Sequence, residues 1–140
     1  MPSNSKTILA QNVHPDDSTV QSVTGEKHTG DGYYGRSDGF HTVQINVTSF
    51  TGDISMEGTL AVEPTENDYF PITLSKETAV AGTVDTTGAI STGSVATVTS
   101  AAFNDETTSV SYNFTGNYVW VRAKASNWTT GSIDSILLNH

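Results

Sequence analysis

The stretch His41-Thr42-Val43-Gln44-Ile45-Asn46-Val47-Thr48-Ser49-Phe50-Thr51-Gly52-Asp53-Ile54 decides the fold class. Val43, Ile45 and Val47 alternate with Thr42, Gln44, Asn46 and Thr48, a period of two that places the apolar side chains on one face of a strand. Its β-branched residues favour a pleated, half-buried surface over a helix. Phe50-Thr51-Gly52 then reads as a turn, glycine supplying the backbone freedom of a tight connection and the aromatic plugging the end of a core. Beyond it, Ile54, Met56, Leu60 and Val62 share one face of a second strand, and Ser55, Glu57, Thr59 and Ala61 the other.

The same phrase returns along the chain. A Thr-Gly pair with an apolar residue two positions after the glycine occurs at Thr51-Gly52, Thr87-Gly88, Thr92-Gly93, Thr115-Gly116 and Thr130-Gly131; Phe114 precedes its pair as Phe50 does, and Trp128 does so with one residue, Thr129, inserted. Each predicts a turn feeding a strand. Their irregular spacing excludes a solenoid, which needs a fixed period. Further strands are predicted at Phe70 to Leu74, where Pro71 requires an edge or a position whose nitrogen faces out, and at Val110 to Phe114. Tyr118 to Lys124 carries bulk on both faces, as a central strand does, and Ile133 to Leu138 closes the sequence. Residues 76–106 are rich in Ala, Thr, Gly and Ser and leave strand bounds open. No window has apolar residues at helical spacing, so at most a helical turn is expected.

About seven to eight short strands of this kind predict an all-β fold, an antiparallel β-sandwich or jelly roll over residues 41–140, with a closed barrel as the alternative. Residues 1–40 are polar and interrupted by Pro15, Gly25, Gly30, Gly32, Gly35 and Gly39, and they predict an extended N-terminal arm. Short strands are expected in it at Ser18 to Val23 and near Tyr33 and Tyr34. The arm either lies along the domain or reaches a neighbouring subunit.

Composition narrows the function classes. A chain of 140 residues suits one domain. Fifteen acidic against 6 basic residues, a net charge of −9, disfavour nucleic acid and an anionic membrane surface as partners. With no cysteine, disulfides and thiolate chemistry are excluded. Met1 to Ala10 contains no apolar run of signal-peptide length, and no segment is long enough to span a bilayer, so export by the general route is not expected.

Chemical candidates are sparse. His14, His28, His41 and His140 lack zinc-ligand spacing and are expected at surfaces or turns. Glu57, Glu63, Glu66, Asp68, Asp105 and Glu106 supply carboxylates, but nothing in their spacing makes two of them face each other as glycosidic hydrolysis requires. Calcium held by the loops 63–68 or 104–106 is a minor alternative. Aromatic side chains offer sugar-stacking faces: Tyr33, Tyr34, Tyr69, Trp120 and above all Trp128, which sits among polar neighbours. The expectation is a protein that is not an enzyme and needs no cofactor or metal.

Two blocks carry a resemblance. Tyr112-Asn113-Phe114-Thr115-Gly116-Asn117-Tyr118-Val119-Trp120-Val121-Arg122-Ala123, followed by Trp128 to Ile133 and Ile136 to Asn139, resembles small β-rich virion proteins of tailed bacteriophages. Phe50 to Ile54 with Gly58 to Leu60, Pro64 and Asp68-Tyr69-Phe70 is similar to the same group. Together they lie within residues 50–70 and 112–139, about a third of the chain. The resemblance implies a structural component located in the virion, a capsid decoration protein or an accessory piece of neck, tail or fibre, assembled in multiple copies or as a homo-oligomer with other virion proteins. Under it, the arm clamps a neighbour, and its removal leaves a folded domain that no longer joins the particle. Tyr33, Tyr34, Phe50, Phe114 and Trp128 are the candidate interface or glycan contacts; Phe50, Phe114 and Trp128, each ahead of a turn, either contribute to subunit contacts or hold the ends of the core, and packing is the favoured role for such an aromatic. The alternative is a carbohydrate-binding sandwich for attachment to a host surface.

Overall fold

The computed structural model describes residues 5–35, 39–78 and 94–139. Among them are ten strands: β1 (Lys6–Leu9), β2 (Asn12–Val13), β3 (Gln21–Thr24), β4 (His28–Thr29), β5 (Phe40–Thr59), β6 (Phe70–Pro71), β7 (Leu74–Thr78), β8 (Ser94–Val98), β9 (Ala101–Thr115) and β10 (Trp120–Asn139). Two 3-10 turns, Asp31–Tyr34 and Glu66–Asp68, complete the described elements, and no α-helix occurs among them. The protein is all-β and antiparallel throughout, with β5 at the centre between β10 and β9, and β7 and β8 extending the β9 side.

Three strands are far longer than the sequence pattern predicts. β5 and β10 have 20 residues each and β9 has 15. A straight strand of 20 residues would run roughly 65 Å. Yet Thr115 pairs with Phe40 at the start of β5, Trp120 pairs with Thr59 at its end, and only residues 116–119 separate Thr115 from Trp120. That link spans at most about 19 Å. The two ends of β5 therefore lie within roughly 30 Å of each other, and the long strands must fold back at their middles. One continuous sheet becomes the two layers of a sandwich.

The burial phase locates the fold line. Along β5 the buried residues are Val43, Ile45 and Val47, then Phe50, Ile54 and Met56, a switch from odd to even numbers. β9 changes phase between Phe103 and Phe114, and β10 between Ala125 and Trp128, again before Ile133 and again before Ile136. In β5 and β10 each change coincides with a break in register. An extra residue at a bulge restores the same inward face on both sides of the bend. Ser49, Asp105 and Asn127 take positive φ values of 47°, 51° and 51°, one residue in each long strand, and Gly131 takes +84°. This line of bulges is the corner of the sandwich.

Of the three Thr-Gly pairs among the described residues, only Thr115-Gly116 ends a strand. Thr51-Gly52 and Thr130-Gly131 lie inside β5 and β10, and Thr51 pairs directly with Thr130, so the two copies meet at the corner. A Cβ on Gly131 would stand 2.0 Å from the Ser49 carbonyl oxygen, and one on Gly52 would stand 2.9 Å from the Phe50 ring. Glycine is present because the two strands cross closely there, rather than because a hairpin turns. Thr87-Gly88 and Thr92-Gly93 lie outside the described residues.

The N-terminal segment lies along β10 as an edge strand in four pieces. β1 pairs with residues 136–138, β2 with 132–133, β3 with 124–128 and β4 with 120–121. Ile8 and Leu9 enter the core. Of the two placements expected of the arm, the described residues take the one along the domain, so a truncation that includes residues 5–35 would strip an edge from β10 and take the buried Ile8 and Leu9 with it. Leu60 and Val62 also depart from expectation. β5 ends at Thr59, and they emerge 65% and 73% exposed rather than on the inner face with Ile54 and Met56.

Candidate functional site

The folding of the sheet creates an open end opposite the corner, where strand ends of both layers meet. Trp120 opens β10 there, and Arg122 follows on the outer face because Val121 and Ala123 face the core. An outward residue of a sandwich is ordinarily solvated, but Arg122 is buried, since residues 60–69 cross over it. Its Nε donates to Glu57 Oε1 at 2.9 Å, directly across the ladder, and its Nη1 lies 3.0 Å from Glu66 Oε2. The guanidinium stacks on the Tyr69 ring at 3.7 Å. Burial alone would pull the Arg122 guanidinium down, but the hydrogen bonds to Glu57 and Glu66 outweigh it and hold it above its ordinary value. Burial also raises the Tyr69 phenol, against the opposing pull of Arg122, so the hydroxyl keeps its proton at neutral pH.

The covering segment is itself organised. Thr65 and Asp68 form a capping box: the Thr65 backbone N–H donates to Asp68 Oδ2 at 2.7 Å, and the Asp68 backbone N–H completes the turn to Thr65. That turn places Glu66 and Tyr69 over Arg122. Trp120 Nε1 donates to the Val62 carbonyl at 3.0 Å, fixing the start of the same segment. On the opposite wall, Gly25 donates to the Ala123 carbonyl, and Lys27 places its ammonium 4.5 Å from the Trp120 ring centre. Between the walls runs a groove of about 510 Å³ lined by Gly25, Glu26, Lys27, Pro64, Glu66, Tyr69 and Arg122.

Beside the groove lies an exposed aromatic and apolar set. Tyr33 packs on Trp120 with ring centres 5.1 Å apart and meets Tyr34 edge to face. Both tyrosines are about half exposed, and Leu60, Val62 and Phe70 stand out at the same end of the sandwich. A second groove, of about 480 Å³, follows the arm between β1 and β3. His28 lines it, its imidazole held below the ordinary value mainly by burial and also by Lys6.

Three of the candidate interface or glycan residues take the core-packing alternative instead. Phe50, Phe114 and Trp128 are in the core, at 0%, 2% and 4% exposure, and are closed to any partner. Trp128 packs against Phe50 and His14 and donates its indole N–H to the carbonyls of Thr130 and Gly131, so the corner consumes both its apolar body and its polar tip. Tyr33 and Tyr34 remain at the surface. The histidines are corrected too. His14 and His41 are buried, the first under Trp128, the second stacked 4.6 Å from Phe114. The His41 Nδ1–H donates to the Gly39 carbonyl.

Among the candidate carboxylates, Glu57 and Glu66 converge on Arg122, and Asp68 closes its capping box. Among the described residues no group of three or more His, Asp or Glu side chains converges as metal ligands do. The Arg122 cluster went unnoticed in the sequence because its members lie between positions 25 and 122, and only the β5–β10 register sets Glu57 opposite Arg122. No family model matches the chain, and neither a curated protein nor a solved structure matches it.

Proposed function

We propose that the protein is a non-enzymatic structural component of a bacteriophage particle, a decoration protein or an accessory piece of neck, tail or fibre, acting through contacts with other virion proteins. The observation that carries the contact part of this reading is the exposed set Tyr33, Tyr34, Leu60, Val62 and Phe70 at one end of the sandwich. Large apolar side chains left exposed favour burial against a partner, and tyrosines supply contact area at little cost in side-chain order. The phage assignment draws on the resemblance of the Phe50 and Phe114 blocks. The acidic surface suits a soluble component added to an assembling particle.

The test is incorporation. Particles produced with the wild-type chain are purified and probed for it by mass spectrometry and immunogold labelling, and a Leu60→Ser/Val62→Ser variant is compared. The wild-type chain is expected in the particle, and the folded variant is expected to be depleted from it. Absence of the wild-type chain from purified particles overturns the phage assignment, and full incorporation of the variant overturns the contact surface.

A further inference from the structure

The groove over Arg122 is the most developed feature of the outer surface. Its floor is an ionic cluster held in place by a capping box, a cation–aromatic stack and direct strand pairing, so its geometry is set before any ligand arrives. Its rim is the reverse. Among the described residues Glu26 has no hydrogen bond or ion pair, and the Lys27 ammonium has none beyond its place over the Trp120 ring. The Glu66 side chain is 83% exposed beyond its contact with Arg122. The volume of about 510 Å³ falls in the range of small-molecule sites, roughly 300–1,000 Å³.

The lining selects the class of ligand. Glu26 and Glu66 accept hydrogen bonds while Lys27 and Arg122 donate them, and Glu57 beneath Arg122 sets a third carboxylate against the two cations, so an anionic ligand meets net repulsion and a cationic one still meets Lys27 and Arg122. Pro64 and the edge of Tyr69 add apolar surface to the same wall. Phosphate-bearing ligands are disfavoured further by the net charge of −9. A neutral ring with several hydroxyls matches all of these features, because each hydroxyl can donate to a carboxylate and accept from a cation while the ring's apolar face meets the wall.

We infer that the groove formed by Gly25–Lys27, Pro64–Tyr69 and Arg122 is a saccharide-binding site. The inference stands apart from the phage assignment and relocates glycan recognition from Trp128, which is buried, to the opposite end of the sandwich.

The probe is a panel of neutral sugars: methyl glucoside, methyl galactoside, N-acetylglucosamine, cellobiose, lactose and chitobiose. Each is titrated into the full-length, isotopically labelled protein and followed by amide chemical shifts. At least one sugar is expected to move the amides of residues 25–27, 64–69 and 122 in a saturable manner. Glu66→Gln and Glu26→Gln, exposed changes that leave the Arg122–Glu57 pair intact, are each expected to weaken that sugar about tenfold. Tyr69→Ala adds a test of the apolar wall. No saturable shift with any member of the panel, shifts confined to other residues, or unchanged affinity in both glutamine variants would overturn the site.

Discussion

The corner and the open end of this sandwich are made from the same three strands, yet they have opposite characters. At the corner, bulges at Ser49, Asp105, Asn127 and Gly131 bend the strands around Phe50, Phe103 and Trp128. The polar groups there are tied to one another: Thr51 receives the Asp105 N–H, Asp53 receives the Asn127 amide, and Thr107 receives the Ser49 N–H. At the open end, aromatic and apolar side chains are left exposed, and a cation is buried on the outside of the sheet. The corner therefore serves stability, and the open end holds the surface available for recognition. Substitutions should separate the two.

The largest effect is expected at the corner. Phe50→Ala removes a fully buried ring that touches Phe103 and Trp128, and should cost about 3–5 kcal/mol in urea denaturation. Gly131→Ala should cost about 2–3 kcal/mol by the same measurement, because a Cβ would meet the Ser49 carbonyl in a backbone conformation that L-residues resist. A tolerated Gly131→Ala would show that the strands do not cross as closely as the bulge line requires.

Arg122→Met, at the open end, should have an intermediate effect. It leaves Glu57, only 14% exposed in its side chain, without a counter-charge and releases Tyr69 and Glu66. A loss of about 1–3 kcal/mol is expected, most of it recovered by adding Glu57→Gln, and a double-mutant cycle measures the coupling. Leu60→Ser/Val62→Ser, at the exposed rim, should leave stability within about 0.5 kcal/mol of wild type, with any effect appearing in association instead. A large destabilisation there would erase the contrast.

The smallest effect is a pH dependence from His28. Its folded value is lowered from 6.5, chiefly by burial, so the unfolded chain binds the proton more readily. The contribution is complete above about pH 6.5, declines as the pH falls below that value, and levels off once the pH passes the lowered folded value. The difference in stability between wild type and His28→Asn, followed by thermal denaturation from pH 8 to about pH 5, should narrow over that window.

Much of the fold was legible residue by residue. Alternation at Val43–Val47 marked a strand with one inward face, and bulk on both sides of Tyr118–Lys124 marked a strand covered twice, which the core and the 60–69 segment now account for. What misled was Gly52 and Gly131. A glycine after a β-branched run has the same local signature at a hairpin and at a bulge, and only the partner strand distinguishes them. The candidate site was less legible still. Trp120, Tyr33, Tyr34 and Tyr69 stood among the aromatic candidates, but Trp128 ranked above them on polar neighbours in sequence, and those neighbours turn out to cap its indole rather than expose it.

The sequence by itself determined that the chain is all-β, that its core is drawn from alternating positions, and that neither disulfides nor thiol chemistry contribute. These are local properties of side-chain period and residue type. Only the tertiary structure decided that few long strands bend where many short ones were expected, that residues 5–35 complete the sheet's edge, and that Arg122 meets Glu57, Glu66 and Tyr69. Each of these depends on register between segments far apart in the chain, and a period of two specifies which face a residue occupies without specifying which residue lies opposite.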